Sequence, residues 1–121
     1  MKKVILSVAL LLATSLTVMA EDNNSNEINR VEAYDINVNI NSLARYLELS
    51  KDQIESVENI HTVFFESLRS AAVMDKESRK SVVNNAISFD LKNMRYILNK
   101  EQYKKYVKVL NVTINNRRIE K

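Results

Sequence analysis

Neither glycine nor proline occurs anywhere in the 121 residues of this chain. A chain of this length would ordinarily contain about 8 glycines and about 6 prolines. Tight hairpin turns need residues that tolerate positive φ angles, and glycine is their usual supplier. The composition therefore disfavours a sandwich or a barrel with many such turns, and it excludes glycine-rich phosphate loops and dinucleotide-binding fingerprints.

The residue types that most often build reactive or metal-binding sites are also scarce. The chain has no cysteine, and its single histidine is His61. Disulfides, thiolate metal sites and lipidated cysteines are excluded, and one imidazole disfavours a histidine-based zinc site or a catalytic triad. We therefore expect a small all-α protein that uses no cofactor and is not an enzyme.

The first 20 residues have the pattern of a secretory signal peptide. Two lysines precede an uncharged apolar run over residues 4–19, and the chain turns polar at Glu21. The run is at the short end of what spans a bilayer, so cleavage after Ala20 is favoured over a retained anchor. We expect an exported protein that has no stable membrane span once residues 1–20 are removed.

Charge is unevenly distributed along the exported part. The chain carries 18 Lys and Arg against 15 Asp and Glu, and removal of the two signal lysines leaves a net charge of +1. Residues 21–60 carry a net charge of −6, and residues 61–121 carry +7. This balance argues against a nucleic-acid partner. We expect the opposite charges to lie on packed neighbouring helices, and the alternative is a basic outer face that meets an anionic partner.

Residues 21–40 differ in pattern from the rest. They begin with a stretch rich in asparagine and acid that is too polar to order itself. Ile36, Val38 and Ile40 then alternate with asparagines, as in a strand. Because no second strand is predicted, we expect residues 21–40 to form a flexible or extended arm, followed by a helical bundle over residues 41–121.

Apolar residues recur at helical spacing through the bundle. A short helix, capped by Asn41 or Ser42, is predicted at about 42–49. Without glycine, we expect asparagine, aspartate or serine in the connections after the helices. The three main helices are predicted at about 50–73, 76–98 and 100–117.

One five-residue pattern occurs at two of the helix starts. Residues 49–53 and 98–102 both consist of leucine, a small polar residue, lysine, an acid and glutamine. The small polar side chain and the glutamine can satisfy each other's backbone N–H groups in a capping box, and the leucine can pack as a hydrophobic staple. The residues of this repeat that we single out are Leu49, Ser50, Gln53, Leu98, Asn99 and Gln102.

The repeat resembles the paired LTxxQ motifs of the Spy/CpxP-type periplasmic proteins, with Ser50 and Asn99 in place of threonine. That resemblance implies an exported helical protein that acts as an ATP-independent chaperone or stress-pathway inhibitor and forms a cradle-shaped dimer. From Leu49 onward the chain is also similar to small secreted proteins of gut Bacteroidetes, through residues 90–94, 102–106 and the tail to Arg117. This second resemblance implies a Gram-negative envelope or extracellular location and no established activity.

A few residues could carry chemistry. His61 lies on an apolar stripe without ligand-type neighbours, which favours a buried structural histidine over a metal ligand or pH switch. Asp90, near an apolar face, should be paired with His61, Arg95 or a tyrosine hydroxyl, and it would fix the packing rather than catalyse. Tyr103 and Tyr106 lie among lysines that could bind an anionic chain, but their spacing favours the edge of the core.

These patterns favour an exported, non-enzymatic binding protein that is chaperone-like or stress-related. An apolar helix surface with a basic rim would hold a partly folded polypeptide or a partner helix. The alternative is a self-associating structural or host-facing secreted protein that has no client. The expected partner is a protein or polypeptide, and a second copy of the chain in a homodimer is one such partner. The candidate contact residues are Ile60, Val63 and Phe65, with Arg69, Arg79 and Lys80 at the rim.

Overall fold

The computed structural model describes residues 23–121, and these form five helices and no strand. The helices are α1 (Asn23–Tyr34), α2 (Ile40–Leu47), α3 (Lys51–Ala71), α4 (Lys76–Ile97) and α5 (Lys100–Asn116). The predicted all-α class is confirmed, and the three main helices begin and end within about two residues of their predicted bounds. The predicted signal peptide lies outside the described residues.

An antiparallel hairpin of α3 and α4, joined by residues 72–75, is the framework of the fold. Helix α5 returns along α4, and the short α2 contacts both α3 and α5. All five helices contribute to one core, and each large apolar side chain buried there stabilises the fold by about 1.5–3 kcal/mol. Its most deeply buried large apolar members include Tyr34, Ile36, Leu43, Leu47, Phe64, Leu68, Met94 and Ile114.

Both halves of the repeated pattern form capping boxes. The Ser50 backbone N–H donates to Gln53 Oε1 at 2.9 Å, and the Gln53 N–H donates to Ser50 Oγ at 3.2 Å. Asn99 and Gln102 make the same reciprocal pair at 2.9 and 2.8 Å. These bonds satisfy N–H groups that a helix start otherwise leaves without partners, so α3 and α5 begin where the sequence predicts.

Helix α2 begins earlier than its predicted caps. The Asn39 side chain accepts hydrogen bonds from the backbone N–H groups of Asn41 and Ser42, at 2.9 and 3.1 Å. Asn41 and Ser42 are therefore the residues being capped, and the helix covers Ile40–Leu47 instead of 42–49. The alternating segment before it is extended, but no strand pairs with it among the described residues.

Two helices end in left-handed backbone at residues other than those expected. Glu48, after α2, has φ 57°, and Arg118, after α5, has φ 56°. At each end the next two N–H groups reach back to the last turn, as in a Schellman motif: Leu49 to Ala44 O at 2.9 Å and Ile119 to Ile114 O at 3.1 Å. The left-handed positions follow from this hydrogen-bond geometry, which a chain without glycine can meet only with a residue that carries a Cβ.

The flexible or extended arm expected over residues 21–40 is instead partly helical and packed. Residues Asn23–Tyr34 form α1, and the side chains of Tyr34 and Ile36 are each only 2% exposed. The Arg30 side chain donates to the Ala72 carbonyl at 2.8 Å, and Tyr34 Oη accepts from the Glu120 N–H at 3.2 Å. These contacts lie 42 and 86 residues away along the chain, and such tertiary packing overrides a weak local helix preference.

None of the helices within residues 23–121 combines the length and the apolar character that crossing a bilayer requires.

Candidate functional site

Three helices bring His61, Asp90 and Tyr106 together inside the core. The Tyr106 hydroxyl donates to Asp90 Oδ2, and it lies 3.1 Å from His61 Nε2. His61 Nε2 is 3.9 Å from the other carboxyl oxygen of Asp90. The three residues are 7, 0 and 3% exposed, respectively. Of the partners proposed for Asp90, the structure selects the histidine and a tyrosine hydroxyl and leaves Arg95 elsewhere.

Burial determines the charge state of this cluster. It raises the pKa of Asp90 to about 7, against the opposing effect of the hydrogen bond from Tyr106, and it lowers the pKa of His61 to about 4. Burial and the neighbouring Asp90 also raise the pKa of the Tyr106 hydroxyl. A neutral imidazole with its proton on Nε2 can donate to the Tyr106 oxygen while Tyr106 donates to Asp90. The arrangement therefore suits a neutral structural cluster in the core.

The glutamines of the two capping boxes also contact each other. Gln53 Nε2 donates to Gln102 Oε1 at 2.8 Å and to the Ile97 carbonyl at 3.0 Å. Gln102 Nε2 donates to the carbonyls of Leu47 and Glu48, at 3.1 and 3.2 Å. The repeated pattern thus fastens the starts of α3 and α5 to each other and to the ends of α2 and α4.

One face of the α3–α4 hairpin, over residues 56–70 of α3 and 82–96 of α4, carries apolar, serine and asparagine side chains, and the charged Asp52, Glu66 and Lys92 lie at its borders. Val63, Phe89 and Tyr96 are 45, 41 and 81% exposed on it, and the half-buried Ile60 and Val82 lie beside them. The antiparallel register that places His61 near Asp90 places Val63 alongside Phe89. We call this surface the uncharged hairpin face. By helical position its other members are Ser56, Asn59, Ser67, Ser70, Asn85 and Asn93.

The remaining helices pack on the opposite flank of the hairpin. Helix α1 reaches α3 at Ala72, through the hydrogen bond from Arg30. Helix α2 meets α3 around Ile54, and α5 meets α4 around Leu91 and Tyr103. Since α-helical neighbours are separated by about 100° per residue, these contact positions lie away from the uncharged hairpin face.

The structure separates the three predicted apolar contact residues. Ile60 and Val63 lie on the uncharged hairpin face. Phe65 does not, because two residues along a helix point about 200° apart. Its half-buried ring packs against His61, with the ring centres 5.0 Å apart, and against Phe64 at 5.5 Å. Phe65 thus belongs to the margin of the core.

Of the three cations assigned to the predicted basic rim, Arg79 is not available at the surface. Arg79 is only 7% exposed, and it donates to the Met74 carbonyl at 3.0 Å and to Glu120 at 3.1 Å. It thus anchors the C-terminal tail to the start of α4. Arg69 pairs with Asp35 across a distance of 3.5 Å, and Lys80 is half-buried.

Sequence reasoning missed the α4 half of the exposed face. Val82, Phe89 and Tyr96 are spaced by seven residues, so they lie in one row along α4. That spacing is visible in the sequence. The same helix also has a longer apolar stripe, which includes the fully buried Val83 and Met94, and that stripe dominates the sequence pattern.

A groove of about 550 Å³ separates α4 from α5. Its walls are Tyr96 and Arg95 of α4 and Tyr103 of α5, with Leu91 and Lys92 completing the lining. The Arg95 guanidinium lies 5.9 Å from the centre of the Tyr103 ring, in a cation–π contact. Tyr96 borders both this groove and the uncharged hairpin face, so the two surfaces are continuous.

Within residues 23–121, no three histidine or acidic side chains are grouped so that they could hold a metal ion. No protein-family model matches this chain, and neither a curated protein nor a solved structure matches it.

Proposed function

We propose that this chain is an exported, non-enzymatic binding protein that holds an apolar polypeptide segment against the uncharged hairpin face. One observation carries the proposal: Val63, Phe89 and Tyr96 are all exposed on one face of the hairpin, whose other members are serines, asparagines and half-buried apolar residues, with Lys92 at its border. Exposed apolar surfaces of this kind commonly mark interaction sites. Export follows from the signal-like residues 1–20, and the envelope of a Gram-negative cell is the proposed location.

The size of the face favours weak and reversible binding. Its three most exposed apolar side chains present roughly 300 Å² to solvent, and burying that area would contribute about 7 kcal/mol. Association itself costs about 4–15 kcal/mol. Because this gain is comparable to the cost, the face by itself would support only weak binding, which suits a chaperone-like protein that releases its client, as the resemblance to the LTxxQ proteins implies.

Binding is favoured over catalysis because the reactive side chains are enclosed. Asp90 and Tyr106 are 0 and 3% exposed, and His61 makes its contacts inside the core. A general acid or base must reach the proton that it transfers. His61, Asp90 and Tyr106 instead contact one another inside the core.

Suppression of aggregation provides the test. The purified exported protein, added at an equimolar ratio to a denatured reference protein, is expected to reduce light scattering. Val63→Asp should abolish the effect, because it places a charge in the centre of the face. Val112→Asp is the matched control, since Val112 is 47% exposed on α5 and lies off the face. Circular dichroism verifies that both variants fold.

The same experiment distinguishes the alternative of self-association. If the unmodified protein shows no suppression at any ratio, or if both variants lose it equally, the binding proposal is wrong. Light scattering coupled to size exclusion then decides what covers the face. A dimer that only Val63→Asp converts to a monomer, without any suppression, would establish the self-associating protein instead.

A further inference from the structure

The groove between α4 and α5 contains two cations without an acidic partner. Neither Arg95 nor Lys92 makes an ion pair within the described residues, where the arginines seen in ion pairs are Arg69 and Arg79. Neither residue has an acidic residue three or four positions away on its own helix. The nearby Asp90 is fully buried and bonded to Tyr106. The groove therefore offers positive charge that nothing in the described fold neutralises.

The side chains of the groove are arranged to receive a small planar anion. The Arg95 guanidinium lies near the Tyr103 ring, and this cation–π contact favours the side-chain conformation that borders the groove. A guanidinium presents parallel N–H donors that match the two oxygens of a carboxylate. Lys92, one turn or less away, adds a second positive charge, and Leu91 with the tyrosines provides an apolar surround.

We propose that this groove binds a carboxylate of the client polypeptide, so that the protein prefers segments in which apolar residues adjoin aspartate or glutamate. This inference rests on the proposed function, because Tyr96 joins the groove to the uncharged hairpin face. Apolar residues of the client lie on Val63 and Phe89, and its carboxylate lies between Arg95 and Lys92. The charge selects the client, and the apolar face supplies most of the affinity.

Fluorescence anisotropy with two labelled peptides tests the preference. Both are unstructured peptides with the same phenylalanine and leucine positions. One carries two aspartates and the other carries asparagines in their place. The exported protein should bind the aspartate peptide about fivefold more tightly at low salt, which is the size expected of a partly exposed ion pair. The difference should shrink in 0.5 M NaCl, because salt screens exposed charges.

Two variants locate the preference. The double variant Arg95→Gln with Lys92→Gln should bind both peptides equally, with the affinity for the asparagine peptide unchanged. The matched control removes two other lysines, Lys104→Gln with Lys108→Gln on the exposed side of α5, and it should keep the preference. Equal loss in the control would show that net charge, and not the groove, makes the distinction, and would overturn the proposal.

The outcomes separate this inference from the function on which it rests. If Val63→Asp weakens both peptides while the unmodified protein binds them equally, the polypeptide-binding face stands and the carboxylate site is wrong. If neither peptide binds, the proposed function itself is wrong. Vesicles containing phosphatidylglycerol provide the remaining arm: binding to them that Arg95→Gln abolishes, without any peptide preference, would assign the groove to a lipid surface and overturn the inference.

Discussion

Individual buried polar residues have opposing effects on the stability of this protein. The cluster of His61, Asp90 and Tyr106 holds two groups whose pKa values shift in opposite directions. The pKa of Asp90 rises from 3.8 to about 7, and the pKa of His61 falls from 6.5 to about 4. At pH 5.5 the folded cluster therefore carries its proton on the carboxyl group, whereas the unfolded chain carries it on the imidazole.

The stability effects of these shifts follow from proton linkage. A raised pKa makes the folded state bind more protons, so Asp90 stabilises the fold at low pH, and that contribution is lost as pH rises from about 4 to about 7. A lowered pKa does the opposite, so the contribution of His61 is lost as pH falls from about 6.5 to about 4. Between pH 4 and 6.5 the two residues therefore change the free energy of unfolding with pH in opposite directions, and their pH dependences largely cancel.

Removing one partner should therefore expose the pH dependence of the other. Asp90→Asn should give a free energy of unfolding that rises with pH between 4 and 6.5, because His61 is then the one member of the cluster that titrates in this range. His61→Gln should give one that falls with pH between 4 and 7. Either slope can reach about 1.4 kcal/mol per pH unit. Urea denaturation at half-unit pH intervals measures the slopes, and slopes of the same sign in the two variants would contradict the neutral cluster.

At the scale of the helices, the lack of glycine lowers stability at helix ends that need left-handed backbone. The left-handed conformation of Glu48 costs a residue with a Cβ about 1 kcal/mol relative to glycine. The backbone bonds that require it, from Glu48 and Leu49 back to the last turn of α2, do not involve the Glu48 side chain. Because the chain contains no glycine, none of its helix ends can avoid this cost by placing glycine at the left-handed position.

Introducing glycine at this helix end should therefore stabilise the fold. Glu48→Gly is expected to raise the free energy of unfolding by about 1 kcal/mol, after allowing for the greater freedom of glycine in the unfolded chain. Glu48→Ala is the control, since alanine removes the same carboxylate and retains the Cβ. Urea unfolding at pH 7 compares them, and equal stability of the two variants would show that the left-handed backbone is not the cause.

At the scale of the whole molecule, the end of α1 and the segment after α5 close the fold together. Tyr34 Oη accepts from the Glu120 N–H at 3.2 Å, and the Arg117 side chain donates to the carbonyls of Glu32 and Ala33 at 3.2 and 3.4 Å. Arg79 donates to Glu120 in turn. The segment after α1 is thus a structural part of the bundle, and its removal should expose the core.

Ile36 provides the measurement of that role. Ile36→Ala should lower the free energy of unfolding by about 2–5 kcal/mol, because Ile36 is 2% exposed and its truncation leaves a cavity. Ile28→Ala, at a position in α1 that is 59% exposed, should change stability by less than about 0.5 kcal/mol. Thermal unfolding of both variants makes the comparison. Small and equal effects of the two substitutions would contradict this role and would support the flexible arm that the sequence predicts over residues 21–40.

The same contrast separates what the sequence by itself determined from what tertiary structure decided. The all-α class and the starts of α3 and α5 depend on interactions within a few residues. The capping side chains of Ser50 and Asn99 reach N–H groups three positions ahead, and apolar spacing is a local property. Such features are complete in a short window of sequence and can therefore be predicted from it.

Contacts between distant residues decided the rest. The burial of Arg79, the packing of Phe65 beside His61 and the ordering of α1 all depend on partners elsewhere in the chain or on which flank of a helix its neighbours cover. An amphipathic pattern shows that a helix has a buried side, but its margins are assigned only when the other helices pack. For that reason the uncharged hairpin face and the groove beside it were determined by the assembled bundle.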